Sequence, residues 1–403
     1  MSAAGPSGMR PEHLREMVAV RDKRCAQTLL GSLVKFVGAA TQGNLPEAAR
    51  WILDSRLVFL AKKNGPAPRP IRVGELWRRL VAKRLVDDNR KKVQQLCKAA
   101  RQFGVAMPGG AEGLVHFRIQ LEKFLRLSGS AFAVVDVDFK NAYPSLEWDS
   151  IREAVEEDLP EIAPWTRWCH ASAGRVVLPC GTSIWIDRGA EQGNPLGPIY
   201  CALTLARMMS KVRATLQQGG VGFFDAWFMD DGQLVCQPDV ADRLLRVIDA
   251  EAARIGASRA TGVEAKSVAR LVGAEEAVTL TGSDWKTDYI KSSTTEAPSK
   301  QQHVLGVDFG PTHSVGQQFS HATKAVAGLH DALASTGDTA SELVLLRQCA
   351  DVCKVVHLLR AAGATLDPEE LGAYDDMLEG SLIRCLGGEL DCFSLDQAAM
   401  GER

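Results

Sequence analysis

The chain has 403 residues, 46% of them hydrophobic and 24% charged, and carries a formal net charge of −2 at pH 7. This is an ordinary globular composition, long enough for two or three hydrophobic cores, and no apolar run approaches the length of a membrane span. Ten cysteines without a CxxC pair, and an opening MSAAGPSGMRPEH without an apolar stretch, predict reduced thiols in an intracellular protein of the nucleus or cytoplasm.

The near-neutral total argues against a nucleic-acid binder, but the charge is unevenly spread. Between Arg50 and Arg101 fifteen Lys and Arg stand against four acids, Asp54, Glu75, Asp87 and Asp88. Such a stretch suits a polyanionic partner, or equally a set of solvated helix faces.

In chain order, residues 11–40 read as helical, with Pro11 at the start. Residues 55–61 (RLVFLAK from Arg56) predict a strand, and Asn64 to Pro68 a turn. A second strand follows near Arg69–Val73, then a charged helix over 75–100. The apolar run 131–138 ends in acids and predicts a buried strand; 147–158 predicts a helix, and 174–188 a hairpin turning at Pro179-Cys180-Gly181. A Gly/Pro-rich entry leads into a helix over 196–217. Residues 223–236 predict two strands around a tight acidic turn, and 240–257 a helix ending near Gly256. The stretch 276–303 is polar and reads as a loop or insertion; 340–361 and 367–387 predict helices of a separate carboxy-terminal unit. Strands and helices do not alternate strictly, so the predicted class is α+β. Cys349, Cys353 and His357 recur at four-residue spacing on one predicted helix, where a buried face is the expected role because a fourth metal ligand is missing.

Three carboxylates stand out. Asp138 ends the buried strand, and Asp230 and Asp231 sit at the tip of the later hairpin. Two strands can bring them together; Asp136 shares the face of Asp138 by strand parity. Clustered carboxylates repel and need a cation. An all-oxygen donor set suits Mg²⁺, or Mn²⁺, and two such ions about 3.5–4 Å apart clamp both oxygens of an in-line phosphoryl transfer.

Other groups complement them. In Glu191-Gln192-Gly193-Asn194-Pro195-Leu196-Gly197-Pro198 the glycines allow close backbone approach, Gln192 offers donor and acceptor to a base or sugar edge, and the helix start behind favours anions. Lys62, Lys63 and Arg69 flank a hairpin turn and suit a triphosphate. Lys266 is a candidate general acid for a leaving pyrophosphate. Trp165, Trp168 and Trp185 are stacking candidates, or core residues.

Taken in order, these motifs resemble those of reverse transcriptases, most closely the polymerase domain of LINE-type (non-LTR) retrotransposons. VDVDFKNAYPSL (Val135–Leu146) resembles the first palm motif, with Asp138 at its metal-binding aspartate. EQGNPLGP resembles the Gln-Gly motif, and Phe228-Met229-Asp230-Asp231 the Tyr/Phe-x-Asp-Asp hairpin. Lys62-Lys63 and Arg69-Pro70-Ile71 resemble the fingers motif that holds the triphosphate, Gly5-Pro6-Ser7-Gly8 the amino-terminal edge, and Leu305-Gly306 the primer-grip region. Phe228 in place of Tyr, Asn194 in place of Asp, and a long 276–303 insertion depart from the pattern. No endonuclease, zinc-knuckle or RNase H region is visible.

The resemblance implies a right hand: an amino-terminal extension and fingers over 1–130, a palm of antiparallel sheet and helices over 131–310 (145–190 partly fingers), and a helical thumb over 311–403. It implies an RNA-directed DNA polymerase using two Mg²⁺ or Mn²⁺ ions, with an RNA template, a DNA primer and deoxynucleoside triphosphates as partners and no membrane. Asp138, Asp230 and Asp231 would hold the metals. Tyr143 falls at the family's aromatic position whose ring excludes a ribose 2′-hydroxyl. The rivals are an RNA-templated RNA polymerase and a catalytically silent nucleic-acid-binding remnant.

Overall fold

The structure, a computed structural model, describes residues 3–61, 68–128, 130–259, 267–272, 290–292, 302–309 and 315–387. The chain divides into two units, one of Met1–Gly110, Ala131–Val272 and Val278–Lys291, the other of Ala111–Ser130, Gly273–Ala277 and Ser292–Arg403. Residues 3–110 and 131–272 thus share one unit.

In the first unit, a turn closed by Gly8 N–H to the Gly5 carbonyl is fastened by Ser7, whose amide and hydroxyl donate to the Glu75 carboxylate at 2.7 and 2.6 Å. The helix expected over 11–40 is two: α1 (Pro11–Val18) and α2 (Lys23–Thr41). The break follows from Asp22, whose carboxylate accepts from the amides of Arg24 and Cys25 and starts a new helix. β1 (Ser55–Leu60) and β2 (Arg69–Gly74) pair antiparallel from Ser55↔Gly74 to Leu60↔Arg69. α3 (Leu76–Ala99) buries Leu76, Val81, Leu85, Val93 and Cys97 on one face. Next comes α4 (Gly110–Leu127), which belongs to the second unit apart from Gly110.

The chain continues through β3 (Phe132–Asp138), α5 (Ala142–Ser145), α6 (Trp148–Asp158), α7 (Ala163–Cys169), β4 (Gly174–Val177) and β5 (Ser183–Ile186). Then come α8 (Gly197–Gln218), β6 (Phe223–Phe228), β7 (Asp231–Cys236), α9 (Ala241–Arg254), β8 (Val268–Val272) and β9 (Ile290–Ser292). One sheet has the order β2-β1-β4-β5, with β1 and β4 parallel. The other has the order β6-β7-β3-β8-β9, with β7 antiparallel to both β6 and β3, and β3 antiparallel to β8.

The second sheet has two unlike faces. Ala133, Val135 and Val137 of β3, Leu234 and Cys236 of β7 and Trp227 of β6 share a core with Ile151 and Val155 of α6, Leu205 and Met209 of α8, and Leu244 and Ile248 of α9. Residues of opposite parity, Asp136 and Asp138 among them, emerge on the other face.

The second unit holds α4, the hairpin of β10 (Gln302–Val304) and β11 (Val307–Phe309), and four further helices: α10 (Val315–Ala334), α11 (Thr339–Cys349), α12 (Val356–Ala362) and α13 (Pro368–Leu386). Val115, Val304, Val307, Phe319, Leu358 and Tyr374 belong to its core. The single helix expected over 340–361 is interrupted. Asp351 accepts from the Val352 amide and opens a 3₁₀ turn, Val352–Lys354, so Cys349, Cys353 and His357 do not lie on one helix. His357 Nε2 instead donates to the Leu305 carbonyl at 2.8 Å. The nine described cysteines are free, and Cys392 lies outside the described residues. Of the polar stretch 276–303, only 290–292 and 302–303 are described. Among the described residues no helix is long and apolar enough to cross a membrane.

Candidate active site

β6 and β7 form a hairpin closed by the pair Phe228↔Asp231, so Met229 and Asp230 are its two-residue turn. Neither is glycine, yet Met229 takes φ 56°. A left-handed conformation costs an L-residue about 1–2 kcal/mol, so other contacts must hold it. On its other edge β7 pairs with β3, and Asp138 stands directly opposite Asp231. Partners across an antiparallel ladder share a face. Phe228, Asp231, Gln233, Asp136 and Asp138 therefore lie together on the face away from the helices. Asp138 and Asp230 are half-buried and Asp231 is exposed. The Asp138 amide donates to Ser267 Oγ at 3.0 Å, which ties the end of β3 to the residue before β8.

Tyr143 joins this neighbourhood. It lies in α5, and its carbonyl accepts from the Ala190 amide at 2.7 Å. Burial raises the pKa of its phenol, and the nearby Cys201 and Asp230 raise it further. The same proximity appears at Cys201, whose thiol is pushed up by burial and by Asp230.

The Gln-Gly loop is rooted by charge. Glu191 is buried, with Arg78 Nη1 at 2.8 Å and Arg72 Nη1 at 3.5 Å. Burial alone would raise its carboxyl pKa, but the two guanidinium groups override it and hold the group below the usual carboxylate range. Gly193 crosses β2 so closely that a Cβ would stand 2.2 Å from the Arg72 carbonyl, so the close approach it permits here is to the protein's own strand. Asn194 Oδ1 accepts from the Leu196 amide at 3.0 Å at the entry to α8. Between these anchored residues Gln192 is exposed.

Arg69 opens β2 opposite Leu60. Lys62, Lys63 and Lys266 lie outside the described residues. Of the basic stretch, Arg78 and Arg72 serve the Glu191 pair, Arg101 reaches Asp225, Lys92 pairs with Glu161 and Arg84 with Asp88. Lys83, Arg90, Lys91 and Lys98 are exposed on α3. Trp165 is fully buried and stacked on Trp168 at 5.4 Å, whereas Trp185 on β5 is 68% exposed.

Two residues that matter to the hairpin are not marked by any motif of the sequence. Asp225, buried in β6, accepts from Arg213, Arg101 and Trp227 Nε1. Gln102 accepts from the Met229 amide at 2.7 Å and donates to the Met229 carbonyl at 2.9 Å.

Among the described residues no group of three or more His, Cys, Asp and Glu side chains is arranged to hold a metal ion. The donor type alone suits one. Three carboxylates start from one end of two adjacent strands, and all offer hard oxygen.

No protein-family model matches the sequence, and no curated protein matches it. Among solved structures, the chain is similar to an apo telomerase of Candida tropicalis, 12% identical over 92% of this chain and 66% of that one, with a TM-score of 0.48. A form of it truncated from the C-terminal domain is 15% identical over 70% of this chain and 58% of that one, at 0.40. A telomerase of Candida albicans, in complex with a TWJ fragment of telomeric RNA, is 12% identical over 94% and 69%, at 0.47.

Proposed function

We propose that this chain is an RNA-directed DNA polymerase, a reverse transcriptase of the LINE-type branch, that extends a DNA primer on an RNA template. The observation that carries this reading is Asp138 facing Asp231 across the β3–β7 ladder, with Asp230 in the adjoining turn. It is joined by the ordered motifs of the sequence.

Asp138, Asp230 and Asp231 would hold two Mg²⁺ or Mn²⁺ ions. When bound, such ions supply charge stabilisation to the attacking and leaving oxygens of an in-line transfer. The chain's own residues do the rest. β3 and β7 present the carboxylates from a rigid sheet. Tyr143, in α5, fills the space of a ribose 2′-hydroxyl and so favours deoxynucleotides. Gln192, exposed on the loop that Glu191 roots and Gly193 seats against β2, faces the base and sugar. Lys62, Lys63 and Arg69 receive the triphosphate, and Lys266 gives a proton to the pyrophosphate. The exposed lysines and arginines of α3 meet the nucleic-acid backbone. In this reading the first unit combines fingers and palm, the helices of the second unit act as thumb, and the protein works in the nucleus or cytoplasm.

The test is extension of a DNA primer annealed to an RNA template with deoxynucleotides and Mg²⁺ or Mn²⁺. Templated elongation that stops on chelation supports the reading. Elongation with ribonucleotides alone would favour an RNA polymerase. Tight RNA binding without elongation under either metal would favour a silent remnant.

A further inference from the structure

The hairpin that carries Asp230 and Asp231 has a strained turn at Met229, and the structure shows what holds it. After α3, residues 101–103 run along the outer edge of β6. Trp227 N–H donates to the Arg101 carbonyl at 2.9 Å, and Phe103 N–H to the Trp227 carbonyl at 2.6 Å. The Gln102 amide donates back to the Cys97 carbonyl at 2.8 Å, which anchors it to the buried end of α3. From there the side chain, 3% exposed, reaches the turn. Its Oε1 accepts from Met229 N–H at 2.7 Å and from Gly104 N–H at 3.0 Å, and its Nε2 donates to the Met229 carbonyl at 2.9 Å. Both main-chain polar groups of the strained residue are therefore bound by one primary amide. Among side chains of this length, only Gln offers a donor and an acceptor to one peptide in this way.

The fit is close on the other side too. Gly104 lies against the same residue, and a Cβ there would stand 2.5 Å from Met229 N and 2.7 Å from its Cγ. Arg101 adds a second tie, its guanidinium 3.1 Å from the buried Asp225 and over the ring of Phe224. The segment 101–104 thus grips the hairpin tip without contributing a carboxylate of its own.

We propose that Gln102 is the positioning residue of the candidate active site: its amide fixes the Met229–Asp230 turn, and through it the two hairpin carboxylates, in place at the end of the β3–β7 ladder. This rests on the polymerase reading for the identity of the reaction, but the clamp makes a claim about cation binding alone. Groups that orient metal ligands from behind commonly change affinity or activity by about 10–100-fold when removed.

The experiment compares full-length wild type with Gln102→Leu, which removes both ends of the clamp, and Gly104→Ala, which pushes on the same turn from the neighbouring residue. Three quantities are read: hydrogen exchange at the Met229 amide, affinity for Mn²⁺ alone by titration, and the kinetics of primer extension. In both variants the Met229 amide should exchange faster while core amides of β3 and β7 stay protected. Mn²⁺ affinity should fall about 10–100-fold. In extension, kcat should fall while KM for the deoxynucleotide holds. Faster exchange at Met229 with wild-type Mn²⁺ affinity and kcat would overturn the proposal and leave Gln102 a purely structural tie. Failure of the wild type to bind Mn²⁺ would overturn it as well. If the wild type binds Mn²⁺, loses affinity on Gln102→Leu and extends no primer, the clamp stands and the polymerase reading falls.

Discussion

Asp138 and Asp231 are opposite partners in the β3–β7 ladder, and the apolar residues beside them set that pairing. Val135, Val137 and Leu234 occupy the alternate positions and are buried under α6, α8 and α9. A slip of one residue would turn those side chains out and carry one aspartate into the core, so the cost of exposing the apolar face protects the register. The candidate site is in this sense a by-product of core packing: hydrophobic alternation chooses the register, and the register places the carboxylates.

The first prediction concerns sugar choice. If Tyr143 occupies the sugar site as proposed, Tyr143→Ala should retain deoxynucleotide extension and admit ribonucleotides. Discrimination is a difference between two barriers, and only one of them is lowered. Comparing kcat/KM for a deoxynucleotide and its ribonucleotide in both proteins reads this directly. A ratio unchanged by the substitution removes Tyr143 from the sugar site.

The buried Glu191 neutralises Arg78 and, at longer range, Arg72. Glu191→Gln should destabilise the first unit by about 3–5 kcal/mol, because it leaves a buried guanidinium without its counter-charge. Denaturant unfolding gives the number. A loss below about 1 kcal/mol, the size typical of an exposed pair, would show that Arg78 finds water or another partner.

Nucleic-acid binding should depend on exposed α3, not on the whole basic stretch. Reversing Lys83, Arg90, Lys91 and Lys98 to Glu should flatten the fall of affinity with salt, by about 0.9 in log–log slope for each phosphate of duplex DNA that is no longer neutralised. Arg78, 6% exposed and ion-paired, belongs to the interior, and its reversal would report on folding instead. An unchanged slope in the fourfold variant places the binding surface elsewhere.

His170 supplies a pH signature. Its ring is buried, stacked on Trp148 at 4.5 Å; burial first, and then Arg78, Arg152 and Arg72, push its pKa well below the usual imidazole value. A group neutral in the fold but protonated when unfolded stabilises fully above the unfolded pKa of about 6.5, and that contribution is lost as the pH falls below it. Tm should therefore drop on acidification from neutral pH, and less so in His170→Phe, which keeps the stack. Equal slopes in the two proteins would mean that the site relaxes to admit the charge.

The parts of the fold legible in the sequence are those whose signal is local. FFDAWF and the alternation of VVDVD mark strands, and Met-Asp-Asp between two strands marks a turn. α4 is hidden because Gly109, Gly110 and Gly113 mark its start as loop, although Leu114, Val115 and Leu125 are buried along it. The pairing of Arg78 with Glu191 spans 113 residues, and nothing local announces it. Gln102 is of the same kind: its role depends on a turn 127 residues away that needs its amide. Gly193 suggests room for a ligand when only its neighbours in the chain are considered, and in the structure it makes room for β2.

The most direct test of the carboxylate constellation is the single-turnover rate of Mg²⁺-dependent primer extension by Asp138→Asn and by Asp231→Asn, each beside wild type and each checked for native fold. Each change keeps the shape of the side chain and removes one charged oxygen ligand from a strand end. The account predicts a fall of at least about a thousandfold in both, equivalent to roughly 4 kcal/mol of lost transition-state stabilisation. Extension at the wild-type rate by either folded variant would contradict it.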